Sequence, residues 1–252
     1  IYDGQKIEGL KLSGHDNYIS GNLIDQIIST GNDIYWIQTY YGLNRLDKRN
    51  NRITHYKEFQ KFFFMAKDHS GTLYVLKDNN SIYYYKNGAF NKINTMGVPF
   101  TDIVDFFIDE NDVIWIILKQ YSYCYAIHKD QKTGNVTLAH KKSNFNINST
   151  ILYCFHDGKF IHYIDDKYNL YDYDINRNSN KYLANLKEEI NTRGRISAIV
   201  KSHNSYFIGF VLDGLLKLEK DRNNLYEIKD MGINCGIFSI EKDLFQDIVW
   251  IG

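Results

Sequence analysis

A repeat of about forty residues constrains this chain more than any other feature. Its clearest copy is Asn32-Asp33-Ile34-Tyr35-Trp36-Ile37-Gln38-Thr39-Tyr40-Tyr41-Gly42-Leu43-Asn44-Arg45-Leu46-Asp47, and degraded copies recur to the last residue. A polar turn enters an apolar run, Ile34 to Ile37; a short loop with Gly42 leads to a second run, Leu43 to Leu46; and Asp47 to Asn51 turns the chain again. Equivalents of Trp36 fall at Tyr74, Trp115, Ile161, Phe207 and Trp250, in steps of 38, 41, 46, 46 and 43 residues. With Leu23 to Ile28 before this unit and Arg52 to Tyr56 after it, one repeat holds four short strands. Helical repeats of this length would need apolar residues at 3.6-residue spacing, which the copies lack, so the period predicts the four-stranded antiparallel blade of an all-β propeller.

Composition agrees and narrows the partners. The 252 residues include 21 Tyr and 15 Phe, side chains that suit pleated, half-buried surfaces. Thirty basic residues balance thirty acidic ones, so no net field exists to hold nucleic acid or an anionic membrane. No run approaches the ~18 apolar residues of a membrane span. A single proline, Pro99, leaves the turns to Asn, Asp and Gly, which tolerate left-handed backbone.

Read in order, residues 1–22 predict the tail of a blade, followed by whole blades at about 23–60, 61–99, 101–146, 149–190 and 195–233, and a partial blade at 235–252. Phe62 to Ala66 is an uninterrupted apolar run of the kind buried on both faces, as the innermost strand of a blade is. The crossing Ala184 to Ile190 predicts one or two helical turns. A start at Ile1 without Met, and an end at Gly252 inside a strand motif, predict a fragment of one propeller domain.

The best-preserved copies resemble the two-component regulator propeller repeat. Its pattern is an apolar strand, Asp-x-x-Gly-x-Leu-Trp-Ile-Gly-Thr, a short loop, Gly-Leu-x-Arg-Tyr-Asp and an aromatic outer strand. The resemblance is carried by Trp36-Ile37-Gln38-Thr39 with Gly42 to Asp47, by Asp68-His69-Ser70-Gly71-Thr72-Leu73-Tyr74-Val75, by Asp213 to Leu218 and by Ile248 to Gly252. Gln38 replaces the Gly after Trp-Ile, and Trp is absent from the second, fourth and fifth copies. The resemblance implies the periplasmic sensor region of a Bacteroidetes-type hybrid two-component histidine kinase, a protein anchored in the inner membrane that detects a glycan fragment. It further implies most of a seven-bladed propeller, neighbouring propeller and β-sandwich domains in the same chain, and a homodimer. A surface or secretion-associated propeller serving as a protein-interaction platform is the alternative.

Catalytic signatures are missing: Gly-x-Ser-x-Gly, His-Glu-x-x-His, Gly-x-Gly-x-x-Gly and the phosphate loop do not occur. The region reads as non-catalytic and without cofactor or metal. A propeller glycosidase or lyase would need converging carboxylates, for which Asp78, Asp166 and Asp213 are the candidates. Cys124, Cys154 and Cys235 are odd in number and widely spaced, as small buried side chains are. His156-Asp157 and His162 with Asp165-Asp166 form a local His/Asp cluster, but strand direction places His156 and Asp165-Asp166 at opposite ends of a blade. Binding is therefore expected on the loops between second and third strands. Tyr40, Tyr41, Asn79, Gln120, Tyr121, Asp166 and Tyr168 offer there the aromatic plates and forked polar groups that suit a neutral oligosaccharide.

Overall fold

The computed structural model describes residues 18–21, 23–61, 63–77, 81–93, 102–142, 145, 149–223, 225–242 and 248–252. These form 22 strands and one short helix, grouped in antiparallel sheets whose strands follow one another in chain order. The first sheet is β1 (Ile24–Ser29), β2 (Ile34–Thr39), β3 (Gly42–Asp47) and β4 (Arg52–Tyr56). The second is β5 (Phe63–Lys67), β6 (Leu73–Lys77), β7 (Ser81–Lys86) and β8 (Ala89–Ile93). The third runs from β9 (Ile103–Ile108) through β10 (Val113–Leu118) and β11 (Ser122–Lys129) to β12 (Val136–Lys141). The fourth contains β13 (Ile151–His156), β14 (Phe160–Asp165), β15 (Asn169–Asp174) and β16 (Ser179–Asn185), and is followed by α1 (Lys187–Arg193), the helix the crossing predicts. The fifth is β17 (Ile196–Ser202), β18 (Ser205–Phe210), β19 (Leu215–Lys220) and β20 (Tyr226–Asp230); β21 (Ile240–Lys242) and β22 (Val249–Ile251) pair as a sixth. The predicted partial blade at 1–22 lies outside the described residues except for 18–21.

Local chemistry explains the hairpins. Asn87 and Gly88 join β7 to β8 with φ of 51° and 86°, the doubly left-handed turn whose twist matches the flanking strands. Gly71 has φ 78°, and a Cβ there would sit 2.7 Å from the Thr30 carbonyl oxygen, so both backbone and space require glycine. In the first, third, fourth and fifth sheets the pairing of first and second strands slips by one residue near the start of the first strand, between Ile24 and Gln26 and between Ile196 and Ala198 for example. Such a bulge re-aims an innermost strand without ending its ladder.

Contacts divide the chain into two compact units, Ile1–Phe100 with Ala126–Ala139, and Thr101–Tyr125 with His140–Gly252. In the first unit the first two sheets bury Trp36, Leu43, Phe59, Phe63, Met65 and Leu73 between them, with Tyr56, Tyr85 and Phe90 packed edge-on around them. In the second, Phe107, Trp115 and Cys124 meet Ile151, Ile161 and Tyr163, and a further cluster joins Ile164, Leu170 and Leu183 to Tyr206, Ile208 and Phe210. Every residue of β10, from Val113 to Leu118, is buried, as its unbroken apolar run demands. In the fifth copy the buried aromatic is Tyr206, at 1% exposure, one residue before the position repeat spacing assigns to Phe207. The β17–β18 turn has only two residues, His203 and Asn204, between the paired Ser202 and Ser205, which shifts the register by one.

Candidate functional site: two clefts at opposite ends of their sheets

Four of the predicted ligand residues occupy turns between second and third strands in the second unit, and two do so in the first. Tyr40 and Tyr41 form the two-residue β2–β3 turn, 50% and 64% exposed, with their rings edge to face at 5.4 Å. Gln120 and Tyr121 lie in the β10–β11 connection, where Tyr121 meets Tyr123 edge to face at 5.6 Å. Asp166 and Tyr168 form the β14–β15 turn, and Tyr168 takes a left-handed φ of 65°. Ile151 joins the last two loops: its N–H donates to the Lys119 carbonyl at 2.7 Å while it pairs with Asp165. Asn79 lies outside the described residues.

Tyr41 also lines a cleft of about 260 Å³ with Tyr18, Ser20, His55, Tyr56 and Gln60. Behind this cleft sits Asn44, completely buried in the middle of β3. Its amide donates to the Ile37 carbonyl at 3.1 Å and to Ser20 Oγ at 2.9 Å, and its oxygen accepts the Ser20 N–H at 3.0 Å. His55 Nδ1 lies 2.8 Å from the same oxygen, which fixes the imidazole; its Nε2 has no hydrogen-bond partner among the described residues. Tyr18 packs on His55 with ring centroids 5.1 Å apart. The result is a rigid polar floor with exposed aromatic walls, where a sugar's C–H face and hydroxyls both find partners. Sequence reasoning found Tyr41 and missed Tyr18, His55 and Tyr56. The available signal was Asn44, a polar side chain at a buried strand position, which must find partners nearby.

A second cleft of about 260 Å³ lies at the other end of the fourth and fifth sheets, beside the turns that join first to second strands. Its walls include Phe160, Arg177, Lys181, Lys201, Lys220 and Tyr226, with Asp172 and Asp174 as its carboxylates. Asp172 is the centre of a buried network. It accepts the Tyr206 hydroxyl at 2.6 Å and Lys201 Nζ at 2.8 Å, and its other oxygen lies 2.9 Å from His162 Nδ1. His162 and Asp172 are directly opposite in the β14–β15 pairing, and Asp157 stands 3.8 Å from the far ring nitrogen. Neither ring nitrogen has hydrogen-bond alignment, so the imidazole is held by charge. Burial alone would push His162 down; the carboxylates of Asp157 and Asp172 outweigh it and raise its pKa. Burial would likewise raise Asp172, but His162, Lys201 and Tyr206 bring it to about 2. Lys201 Nζ also sits 3.3 Å above the Phe160 ring. His162 therefore turns to Asp157 and Asp172, while Asp165 caps its own turn by accepting the N–H groups of Lys167 and Asn169. Among the described residues no group of three or more His, Cys, Asp or Glu is placed to hold a metal ion. None of their helices is long and apolar enough to cross a membrane.

No family model matches the chain, and no curated protein matches it. Solved structures do. The extracellular domain of a Bacteroides thetaiotaomicron protein, assigned in one structure as a one-component and in another as a hybrid two-component system, matches over 93% of this chain with TM-scores of 0.60 and 0.59 at 16% and 15% identity. This chain spans about a third of those domains, 33% and 32%. Virginiamycin B lyase from Staphylococcus aureus matches over 85% of this chain and 73% of its own, with a TM-score of 0.55 at 13% identity. At such identities the likeness speaks to architecture alone, and with the successive four-stranded antiparallel sheets it establishes the fold as a β-propeller.

Proposed function

We propose that this chain is the extracytoplasmic ligand-sensing propeller of a hybrid two-component sensor histidine kinase, and that it binds a glycan fragment without transforming it. One observation supports a sugar ligand above all: the cleft in which Tyr18, Tyr41 and Tyr56 surround the ordered Asn44, Ser20 and His55 group. Exposed aromatic faces beside preset polar groups discriminate ring-shaped polyols from water at small entropic cost. The repeat pattern supports the sensor context, which places the ligand in the periplasm and the response in a homodimer whose two arrangements the ligand must bind with different affinity.

Calorimetric titration with a panel of plant and host oligosaccharides tests this reading. One glycan class should bind and remain intact, and Tyr41→Ala should weaken it by about tenfold or more, the value of one lost aromatic contact. Tyr121→Ala, whose ring lies outside this cleft, should weaken it less. Cleavage of the glycan would identify an enzyme, and silence across the panel would favour the protein-interaction platform.

A further inference from the structure

We propose that His162 is a proton-operated latch: protonated, it holds the β13–β14 turn through Asp157, and on losing its proton it lets that turn go. The imidazole, 1% exposed, stands between two carboxylates of its own sheet, with Asp172 2.9 Å from Nδ1 and Asp157 3.8 Å from Nε2. A neutral imidazole carries one N–H, so in either tautomer a bare lone pair faces a carboxylate oxygen. Only the imidazolium answers both. Phe160 and Tyr206 lie against the ring at centroid distances of 6.3 Å and 5.6 Å and bring no charge, while Lys201 Nζ is 2.8 Å from the other oxygen of Asp172. Two cations therefore balance two anions while the proton is on, and its loss leaves one negative charge in excess. Lys159 of the turn does not make up the difference, since it faces Glu110 at 3.5 Å.

Which carboxylate gives way is decided by what else holds it. Asp172, 6% exposed, keeps Lys201 and the Tyr206 hydroxyl at 2.8 Å and 2.6 Å whatever the state of His162. Asp157 is 38% exposed, and its second oxygen accepts the N–H groups of Lys159 and Phe160 within the turn. Without the imidazolium, the buried Asp172 retains the Nδ1 proton as its partner and the half-exposed Asp157 turns to water. Space for that movement exists, because a Cβ on Gly158, the next residue of the turn, would meet no atom within 4 Å. Movement there carries Phe160, which walls the cleft of the fourth and fifth sheets and holds Lys201 Nζ 3.3 Å from its ring centroid. Burial opposes the imidazolium, but the two carboxylates outweigh it and raise the pKa, so the latch is shut at about pH 6 and opens as pH rises through a value above 6.5. The proton acts as a ligand of one arrangement of the turn, which it favours by its difference in affinity between the two.

A nuclear magnetic resonance titration of the nitrogen-labelled protein tests the latch. His162 should titrate above the ordinary 6.5, and Nε2 should give up its proton while Nδ1 keeps one. The backbone amides of Gly158 and Lys159 should shift with the same midpoint, and further than those of Lys201 and Tyr206. Asp157→Asn keeps an oxygen for the turn and removes the charge, so it should lower the midpoint by about one pH unit, as loss of one neighbouring charge does. His162→Asn should abolish the response of the turn; if that core variant fails to fold, Asp157→Asn, in an open turn, still decides. Titration at or below 6.5, an Nε2–H tautomer at high pH, or a midpoint untouched by Asp157→Asn would overturn the proposal. Larger shifts at Lys201 and Tyr206 than in the turn would overturn it too, since the buried carboxylate would then be the one that moves. The latch and the glycan cleft lie in different units, so failure of either leaves the other standing.

Discussion

The second and third sheets hold the repeat's buried aromatic donor from the turn just before it, whereas the fifth holds its own from the fourth sheet. Asp68, in the β5–β6 turn, accepts the Thr72 N–H at 3.0 Å, the Ser70 hydroxyl at 2.8 Å and, six residues on, the Tyr74 hydroxyl at 3.0 Å. Asp109 repeats the arrangement with the N–H groups of Asn111 and Val113 and with Trp115 Nε1 at 2.8 Å. One carboxylate thereby closes a turn and satisfies a buried ring donor, all within seven residues. In the fourth sheet the aromatic position is Ile161, which has nothing to donate, and Asp157 caps its turn through Lys159 and Phe160 and faces His162 instead of a ring donor in the repeat position. The ring donor that needs a partner is Tyr206 of the fifth sheet, and its acceptor is Asp172, 34 residues earlier in β15. Asp68 also pairs with Lys129 of β11, so a charged link between sheets is not peculiar to the fourth and fifth; what the loss of the local anchor changes is that the ring donor itself is satisfied from another sheet.

Truncating the two kinds of anchor should separate them. Asp172→Ala would strand the buried His162 cation, Lys201 and the Tyr206 hydroxyl together, and removing one partner of a buried charged group costs about 3–5 kcal/mol. Chemical denaturation should register that loss. Asp109→Ala strands Trp115 Nε1 and two turn N–H groups, of which that of the exposed Asn111 can reach water, so about 1–3 kcal/mol is expected. Equal losses from the two substitutions would mean that the network does not tie the sheets.

The same contrast separates what could be read in the sequence from what could not. Asp68 and Tyr74 stand inside the repeat pattern, and so does the turn that carries Tyr41; these depend on neighbours close in the chain. The propeller fold was legible for that reason, since a forty-residue period of short apolar runs leaves few alternatives. Asp172 sits in Leu170-Tyr171-Asp172-Tyr173, where it looks like one more strand polar residue. Its pairing with His162 depends on hairpin register, and its pairing with Tyr206 on the packing of consecutive sheets. The register was within reach: folding the chain about Lys167 sets His162 opposite Asp172 rather than beside Asp165. The sheet packing was not, because no short-range rule says which side chains meet between blades. Tyr18 and His55 escaped for the same reason, being drawn to the Tyr41 cleft by contacts through Asn44 and Ser20.

Proton linkage gives a gentler way to probe the network. Asp157 and Asp172 face His162, with Phe160 and Tyr206 against its ring and Lys201 beyond Asp172. Because the folded state raises the His162 pKa above the unfolded 6.5, the imidazolium stabilises the fold fully below about pH 6.5 and ceases to do so as pH rises through the folded value. Asp172 works from the opposite side: its contribution is present above about pH 4 and is lost as pH falls toward about 2. Urea midpoints measured across pH 5–9 should therefore decline on the alkaline side, and His162→Asn should flatten that decline. An unchanged slope in the variant would remove His162 from the account.

The smallest effect should come from an aspartate that anchors no ring at all. Asp105, on β9, accepts its neighbour's Phe106 N–H at 2.8 Å through one oxygen, while the other oxygen is buried without a partner. Burial raises its pKa, and the nearby His156, the Phe106 N–H and the Cys154 thiol only partly oppose that. The ionised form is therefore what the fold disfavours, and stability associated with this side chain is lost as pH rises through its raised value. Asp105→Asn removes the charge and keeps the size, so it should stabilise the protein at pH 7 by about 1 kcal/mol, or about 2–4 °C in melting temperature for a chain of this length. The gain should shrink as pH falls, because the protonated aspartate and the asparagine then become alike in charge. If Asp105→Asn instead destabilised at pH 7 as Asp109→Ala does, the unpartnered oxygen would have to be an acceptor on which the innermost strands depend, and the division between anchoring and idle aspartates would fail.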